Sequence, residues 1–272
     1  MNVILTIKSD PETDYGYPKM TSALMLKGYI INPKKVYRLM QEYQLLHEVT
    51  RRPGRKYVRY RRVNPTRPLE VLEIDLKLQW VVQHQCYAYI LTILDCFTRK
   101  VLYWKAAYSI KQHDVKAAWE YVIVHYLQPY NMLDRQLKVE IRNDNDKRFL
   151  AKIVRDYLEV NHFNQVFTHP YTPQENGHIE SFHSILGRSL ERQEYNTLWD
   201  LTKHLKHFYH TYNEVRLHGS LDHLSPTQFW HLWEQGHIEA IPRPHKPTRF
   251  RLKFPHYLLS GNGSLREHLL RP

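Results

Sequence analysis

Cysteine is nearly absent: Cys86 and Cys96 are the only two in 272 residues. So low a count excludes a disulfide framework and a cysteine-histidine zinc cluster, and it predicts a reducing compartment. No apolar run approaches the roughly 18 residues that a membrane-spanning helix requires. Nor is a signal-peptide pattern found, so no membrane association is expected and a cytoplasmic setting is. Internal repeats and low-complexity tracts are missing as well. Acids are in deficit, with 27 Asp and Glu against 39 Lys and Arg, which leaves a net charge of +12 that 18 histidines would increase on mild acidification. A polyanion is the partner such a balance implies. The 42% apolar content suffices for one substantial core and a small additional module.

The stretch from His169 to Phe182 organises the chain. Two prolines and the Asn176-Gly177 pair mark a loop, and Ile179, Phe182, Leu186 and Leu190 then recur at helical spacing. Glu180 lies about 100° round that helix from Ile179, at the rim of the buried face, where a carboxylate is held firmly yet reaches a ligand. Upstream, Val139 to Asp146 alternates as a strand, and Asp144 falls where the strand gives way to a turn. Ligands bind at the carboxyl ends of strands in α/β sheets. A third acid, Asp75, stands in a run apolar at 69, 71, 72, 74 and 76, which reads as a largely buried strand. A carboxylate in such company is costly unless it is paired or holds a metal. Three acids from two strands and a helix therefore suggest a metal site.

The motifs come in a fixed order. Tyr15-Gly16-Tyr17-Pro18 and Val36 to Met40 are followed by Asp75 and by Leu94-Asp95-Cys96-Phe97-Thr98-Arg99-Lys100. Asp144 comes next and, after 35 intervening residues, Glu180 within Asn176 to Phe182. Tyr212-Asn213, Arg216, His218, Leu221, Pro226 and Phe229 close the series. This set resembles the DDE transposases of the retroviral-integrase type, specifically the second-frame proteins of two-frame bacterial insertion sequences, over roughly residues 15 to 232.

The resemblance implies catalytic acids Asp75, Asp144 and Glu180 holding two Mg²⁺ or Mn²⁺ ions. It also implies metal-dependent cleavage at the ends of a DNA element and strand transfer into target DNA. Implied partners are the element's terminal repeats, target DNA, a homo-oligomer of at least two copies and the upstream-frame protein of the same element, in the bacterial cytoplasm at the nucleoid. Relatives often carry Trp at the position of Leu72, Ser at Asn143, Gly at Asp146 and Lys at Gly187. Asp146 would add negative charge beside the ions. A metal-dependent nuclease, or a weakened copy that only binds DNA, shares parts of the pattern.

The expected organisation is a helix-turn-helix module over residues 1–50, a basic linker over 51–68, a catalytic core over 69–195, helices completing the core over 196–240 and a basic, proline-containing tail over 241–272. Asn32 should cap a helix opening at Pro33, with Val36, Leu39, Met40, Tyr43 and Leu46 inward. Lys34 and Lys35 in its first turn oppose the helix dipole and hint at an external anion. With Arg38 they are expected to contact DNA. The linker holds Arg51, Arg52, Arg55, Lys56, Arg59, Arg61, Arg62 and Arg67 and no acid, so phosphate is its natural counterion. Asn176 and Arg188 are further expected DNA contacts. The core reads as an α/β fold with a five-stranded mixed sheet flanked by helices, an order that resembles the ribonuclease-H-like fold. The tail lacks clear periodicity and is expected as an extended arm.

Overall fold

The computed structural model describes residues 1–47, 63–133, 139–167, 176–244 and 246–259. The expected DNA contacts Arg51, Arg52, Arg55, Lys56, Arg59, Arg61 and Arg62 lie outside the described residues. The chain divides into two compact units, Met1–Val58 with His210–Pro272, and Arg59–Tyr209.

In the first unit, α1 (Asn2–Ser9) buries Ile4 and Ile7 and adds to the two helices expected. Helix α2 (Tyr17–Leu26) carries Pro18 in its first turn and buries Met20, Ala23 and Leu24. Gly28 follows at φ 92°, a left-handed conformation that a side chain would strain. Helix α3 (Pro33–Glu42) starts on Asn32, whose side chain accepts a hydrogen bond from the Lys34 amide at 2.8 Å. Its buried face is narrower than expected: Val36 and Met40 are fully buried, whereas Tyr43 ends the helix half-exposed.

The second unit opens with β1 (Val71–Val81), β2 (Cys86–Asp95) and β3 (Val101–Ala107). Then come α4 (Gln112–Val122), prolonged by a π-helical turn over Ile123–Leu127, β4 (Glu140–Asn143), α5 (Lys147–Leu150), α6 (Lys152–Val160), β5 (Asn164–Phe167), α7 (Gly177–Leu190) and α8 (Leu198–His210). The sheet order is β3-β2-β1-β4-β5. β1, β2 and β3 pair antiparallel, while β4 joins β1, and β5 joins β4, in parallel. This is the mixed five-stranded ribonuclease-H-like sheet that the residue pattern predicts.

Parallel pairing requires crossovers, and α4 and α5-α6 supply them. Leu72, Ile74, Ile90 and Ile93 form the sheet's share of the core; Val115 and Trp119 of α4, Val154 and Leu158 of α6, and Phe182 and Leu186 of α7 supply buried helical faces. Each large side chain so buried contributes roughly 1.5–3 kcal/mol. The turn after β2 is held by Asp95, which accepts from the Leu69 amide at 3.1 Å and from the amide and hydroxyl of Thr98 at 2.9 and 2.5 Å. Helix α8 is capped reciprocally by Thr197 and Asp200, each side chain accepting from the other's amide, at 3.1 and 3.0 Å.

The C-terminal part belongs to the first unit. α9 (Pro226–Glu234) begins on a capping box of Ser225 and Gln228. It is followed by β6 (Ile238–Arg243) and β7 (Lys246–Leu252), an antiparallel hairpin. The segment expected as an extended arm from residue 241 is thus a hairpin as far as Leu252. Phe250 and Leu252 point inward between exposed Arg249 and Arg251, and the Phe250 ring packs 5.0 Å from that of Phe229. The Tyr15 hydroxyl accepts from the Leu217 amide at 2.9 Å, and Ser22 Oγ lies 2.8 Å from His223 Nδ1. Among the described residues no helix is long and apolar enough to cross a membrane.

Candidate active site

Asp75 sits in mid-β1, where the strand leaves the core. Its side chain is 24% exposed. Strand alternation sets it on the same face as Glu73 and Lys77. One carboxylate oxygen accepts from the Leu76 amide at 2.7 Å, and the other lies 3.3 Å from His183 Nδ1. β4 pairs with β1 through Val71↔Glu140, Leu72↔Ile141 and Glu73↔Arg142. Two steps further along the same register, Asp75 comes opposite Asp144, just past the end of β4. Asp144 accepts from the Asp146 amide at 3.0 Å. Burial raises its carboxyl above the usual range; the Asp146 amide opposes this, and the negative charges of Asp75 and Asp146 add to it.

Glu180 is solvent-exposed in the first turn of α7. That turn is tied to β1 by the Ile179 amide, which donates to Glu73 Oε2 at 2.6 Å. His183, one turn beyond Glu180 on the same helical side, reaches Asp75. The structure thus sets Asp75 on β1 and Asp144 just past the end of the adjacent parallel strand β4, and it docks the Glu180 turn against β1.

Asp146 has other work than competing for a cation. It caps α5 by accepting from the Arg148 amide at 2.8 Å, and it binds the Arg148 guanidinium through two contacts at 2.8 and 2.6 Å. That ion pair, with the amide bond, holds its carboxyl below the usual range. Asn143 is buried, donating to the Asp144 carbonyl at 2.6 Å and accepting from Gln165 at 3.0 Å, so it shapes the turn that carries Asp144. Of the expected DNA contacts within the described residues, Lys34, Lys35, Arg38 and Arg188 are exposed. Asn176 is instead buried at the N-cap of α7, 6% exposed, with its amide oxygen unpartnered.

Four residues near the acids escape the sequence reading: Glu73, Cys96, His178 and His183. Glu73 is wholly buried, and burial pushes its carboxyl up to about 7 against the Ile179 amide, the Cys96 thiol, Arg99 and Arg142. Burial likewise raises the Cys96 thiol. Burial, with Arg99, lowers His178 to about 3, although its ring donates to the Val63 carbonyl. Potential ligand atoms of Glu73, Cys96 and His178 all lie within 4.8 Å of one another, and among the described residues this is the one such group. Period-two spacing from Asp75, and spacings of two before and three after Glu180, are the signals that could draw attention to Glu73, His178 and His183.

A mixed five-stranded sheet of ribonuclease-H-like order, with α7 docked on its central strand β1, is the architecture of an integrase-like core, here in one chain with a helix-turn-helix-like module. Residues 65–173 and 161–226 each match an integrase core domain family, and residues 1–54 match an HTH-like domain family. The chain belongs to the integrase-core transposase family. It is 25% identical over 79% of its length, and 75% of the relative's, to an uncharacterised 31.7 kDa protein of insertion element IS407 from Burkholderia multivorans. It is 21% identical to an uncharacterised 39.2 kDa protein of insertion element IS476 from Xanthomonas euvesicatoria, over 79% of this chain and 60% of that protein. In fold it is similar to a chain in the structure of the simian T-cell lymphotropic virus intasome with the PP2A regulatory subunit B56 gamma. There the TM-score is 0.51 and the identity 14%, with 87% of this chain and 74% of that chain covered.

Proposed function

We propose that this protein is a transposase that cuts DNA at the ends of its element and joins the freed 3′ hydroxyl to target DNA, with Asp75, Asp144 and Glu180 as metal-holding catalytic acids. The observation that carries this reading is the register of β1 and β4, which sets Asp75 and Asp144 side by side, with the first turn of α7 docked on β1.

The donor set fits hard divalent cations. All three side chains offer carboxylate oxygen, and Asp144 bears the repulsion of Asp75 and Asp146, charge that a cation offsets. The three donors do not close into a tight cage, and Mg²⁺, which retains several waters, suits such an open set. Two Mg²⁺ or Mn²⁺ ions, when bound, supply the Lewis acidity that activates an attacking hydroxyl and stabilises a leaving oxygen.

The chain's own groups hold the acids in place. The Leu76 amide and His183 orient Asp75, Asn143 and the Asp146 amide fix the turn of Asp144, and Glu73 anchors the helix of Glu180. Lys34, Lys35 and Arg38 on α3, Arg188 on α7 and the basic linker are assigned to the DNA backbone. Asn176 is assigned to the start of α7, from its buried cap position. The working form is taken to be an oligomer of at least two copies that unites two element ends on the bacterial nucleoid, with the upstream-frame protein contributing end selectivity.

The test is replacement of each acid: Asp75→Asn, Asp144→Asn and Glu180→Gln. Each should reduce cleavage and joining in Mg²⁺ by more than the roughly 10–100-fold typical of losing a residue that merely orients a ligand. DNA binding in a gel shift should persist. Near-wild-type joining by any one variant overturns its assignment.

A further inference from the structure

Beside the catalytic acids lies a second cluster of a different chemical kind. Glu73 of β1, Cys96 just past β2 and His178 in the first turn of α7 bring a carboxylate oxygen, a thiol sulfur and an imidazole nitrogen within 4.8 Å of one another. Glu73 is 0% exposed; its Oε2 accepts from the Ile179 amide, and besides that amide the carboxylate has only the weakly donating Cys96 thiol as a hydrogen-bond partner. A buried carboxylate so thinly satisfied is costly in a closed core. It is accounted for if the carboxylate and the sulfur are ligands of one ion.

His178 is prepared for the same purpose. Its ring donates a hydrogen bond to the Val63 carbonyl, the arrangement by which a metal-bound imidazole is usually held in one tautomer with the other nitrogen free to coordinate. Cys96 is fully buried and heads the turn that Asp95 braces, so its position is fixed by the backbone.

We infer that Glu73, Cys96 and His178 form a zinc site of three protein ligands with its fourth position left to water, separate from the Mg²⁺-type acids and joining β1, the end of β2 and the start of α7. One thiolate, one imidazole and one carboxylate are the donor mix that favours Zn²⁺ over Mg²⁺. Thiolate and carboxylate together offset the charge of the ion. Of the two nearby guanidiniums, Arg142 is paired with Glu140 at 2.5 Å, whereas Arg99, on the Cys96 carbonyl at 2.5 Å, keeps its positive charge beside the site. Tetrahedral coordination at bond lengths of about 2.0–2.3 Å requires ligand atoms roughly 3.3–3.8 Å apart, so the trio closes up by about 1 Å on binding. This departs from the expectation that two cysteines leave no cysteine-histidine zinc cluster: one thiolate and one imidazole serve here because a carboxylate stands in for the further thiolates.

The experiment uses the full chain, purified without added metal, then exchanged into Co²⁺. The inference expects stoichiometric zinc in the purified protein and, after exchange, a near-ultraviolet thiolate-to-cobalt charge-transfer band. The band should survive Cys86→Ser, since Cys86 opens β2 at the opposite end from Cys96, and vanish in Cys96→Ser. In His178→Gln it should weaken or shift. A Co²⁺ spectrum without a thiolate band, or a band lost in Cys86→Ser, overturns the site. So does a protein that purifies free of zinc and binds none. If Cys96→Ser fails to fold, the wild-type and Cys86→Ser spectra still decide. Catalytic turnover enters none of these readouts, so failure of the transposase reading and failure of the zinc site are told apart.

Discussion

Glu73, wholly buried, and His178, half-buried at the start of α7, are both held in the form that carries no charge, and the two titrations oppose each other. Glu73 is raised from 4.5 to about 7 by burial, so the folded chain holds a proton there that the unfolded chain has released, and this contribution to stability fades as pH rises from about 4.5 to 7. His178 is lowered from 6.5 to about 3, so the unfolded chain takes up a proton that the folded chain refuses, and its contribution fades as pH falls below 6.5. Between about 4.5 and 6.5 the two proton counts cancel. Metal-free wild-type protein, held in chelator, should therefore owe no pH slope to this pair in that window. Glu73→Gln should uncover His178, with stability falling toward acid by up to about 1.4 kcal/mol per pH unit, and His178→Gln should uncover Glu73, with stability falling toward neutral pH at a similar slope. Urea titrations at three pH values measure both; two variants with the same sign of slope would refute the pairing. None of this is legible in the run from Leu69 to Lys77, where Glu73 reads as one more residue of a buried strand. Asp75 stands out because a motif follows it, whereas the face that Glu73 shares with it has meaning only once α7 is known to lie there.

At the scale of elements, β1, β4 and α7 are readable because each repeats apolar residues at one clear period and carries one acid at a boundary. The hairpin of β6 and β7 is not. Its inward residues Phe250 and Leu252 alternate with Arg249 and Arg251, and Pro242 and Pro247 argue against strands unless the sheet is two-stranded and edge-like, which it is. Helix α1 is short and gives as little signal. Gly187 illustrates what spacing alone leaves undecided. A side chain there would meet Lys77, whose Nζ lies 3.4 Å from the position a Cβ would take. Lys77 thus brings a cation from β1 to the face of α7 where the glycine leaves room. Gly187→Ala should gain up to about 1 kcal/mol from helix propensity, because its new methyl meets only the movable end of a lysine. Gly187→Lys should do worse than Gly187→Ala, since it sets a second ammonium beside the first. Thermal melts at low and high salt check this: the deficit of the lysine variant should shrink as salt screens it, and a lysine variant more stable than the alanine variant at low salt would contradict the placement.

The whole molecule carries +12 in formal charge. Eight of its cations fall between Arg51 and Arg67 in a segment without an acid. Neutralising Arg51, Arg52, Arg55 and Lys56 should weaken binding to all DNA sequences alike. The slope of log affinity against log salt should drop by about one for each phosphate that the protein no longer neutralises, and an unchanged slope would reduce the segment to a tether. The division into units is the least legible feature. Hydrogen bonds such as Tyr15 to Leu217 and Ser22 to His223 span some two hundred residues, and no local period announces them. Those bonds also set an order of assembly during synthesis. The helices α1 to α3 are made before Arg59–Tyr209, and the segment that completes their unit only after it. A chain interrupted near Tyr209 would possess its sheet and its acids while α1 to α3 still lacked the residues they fold with.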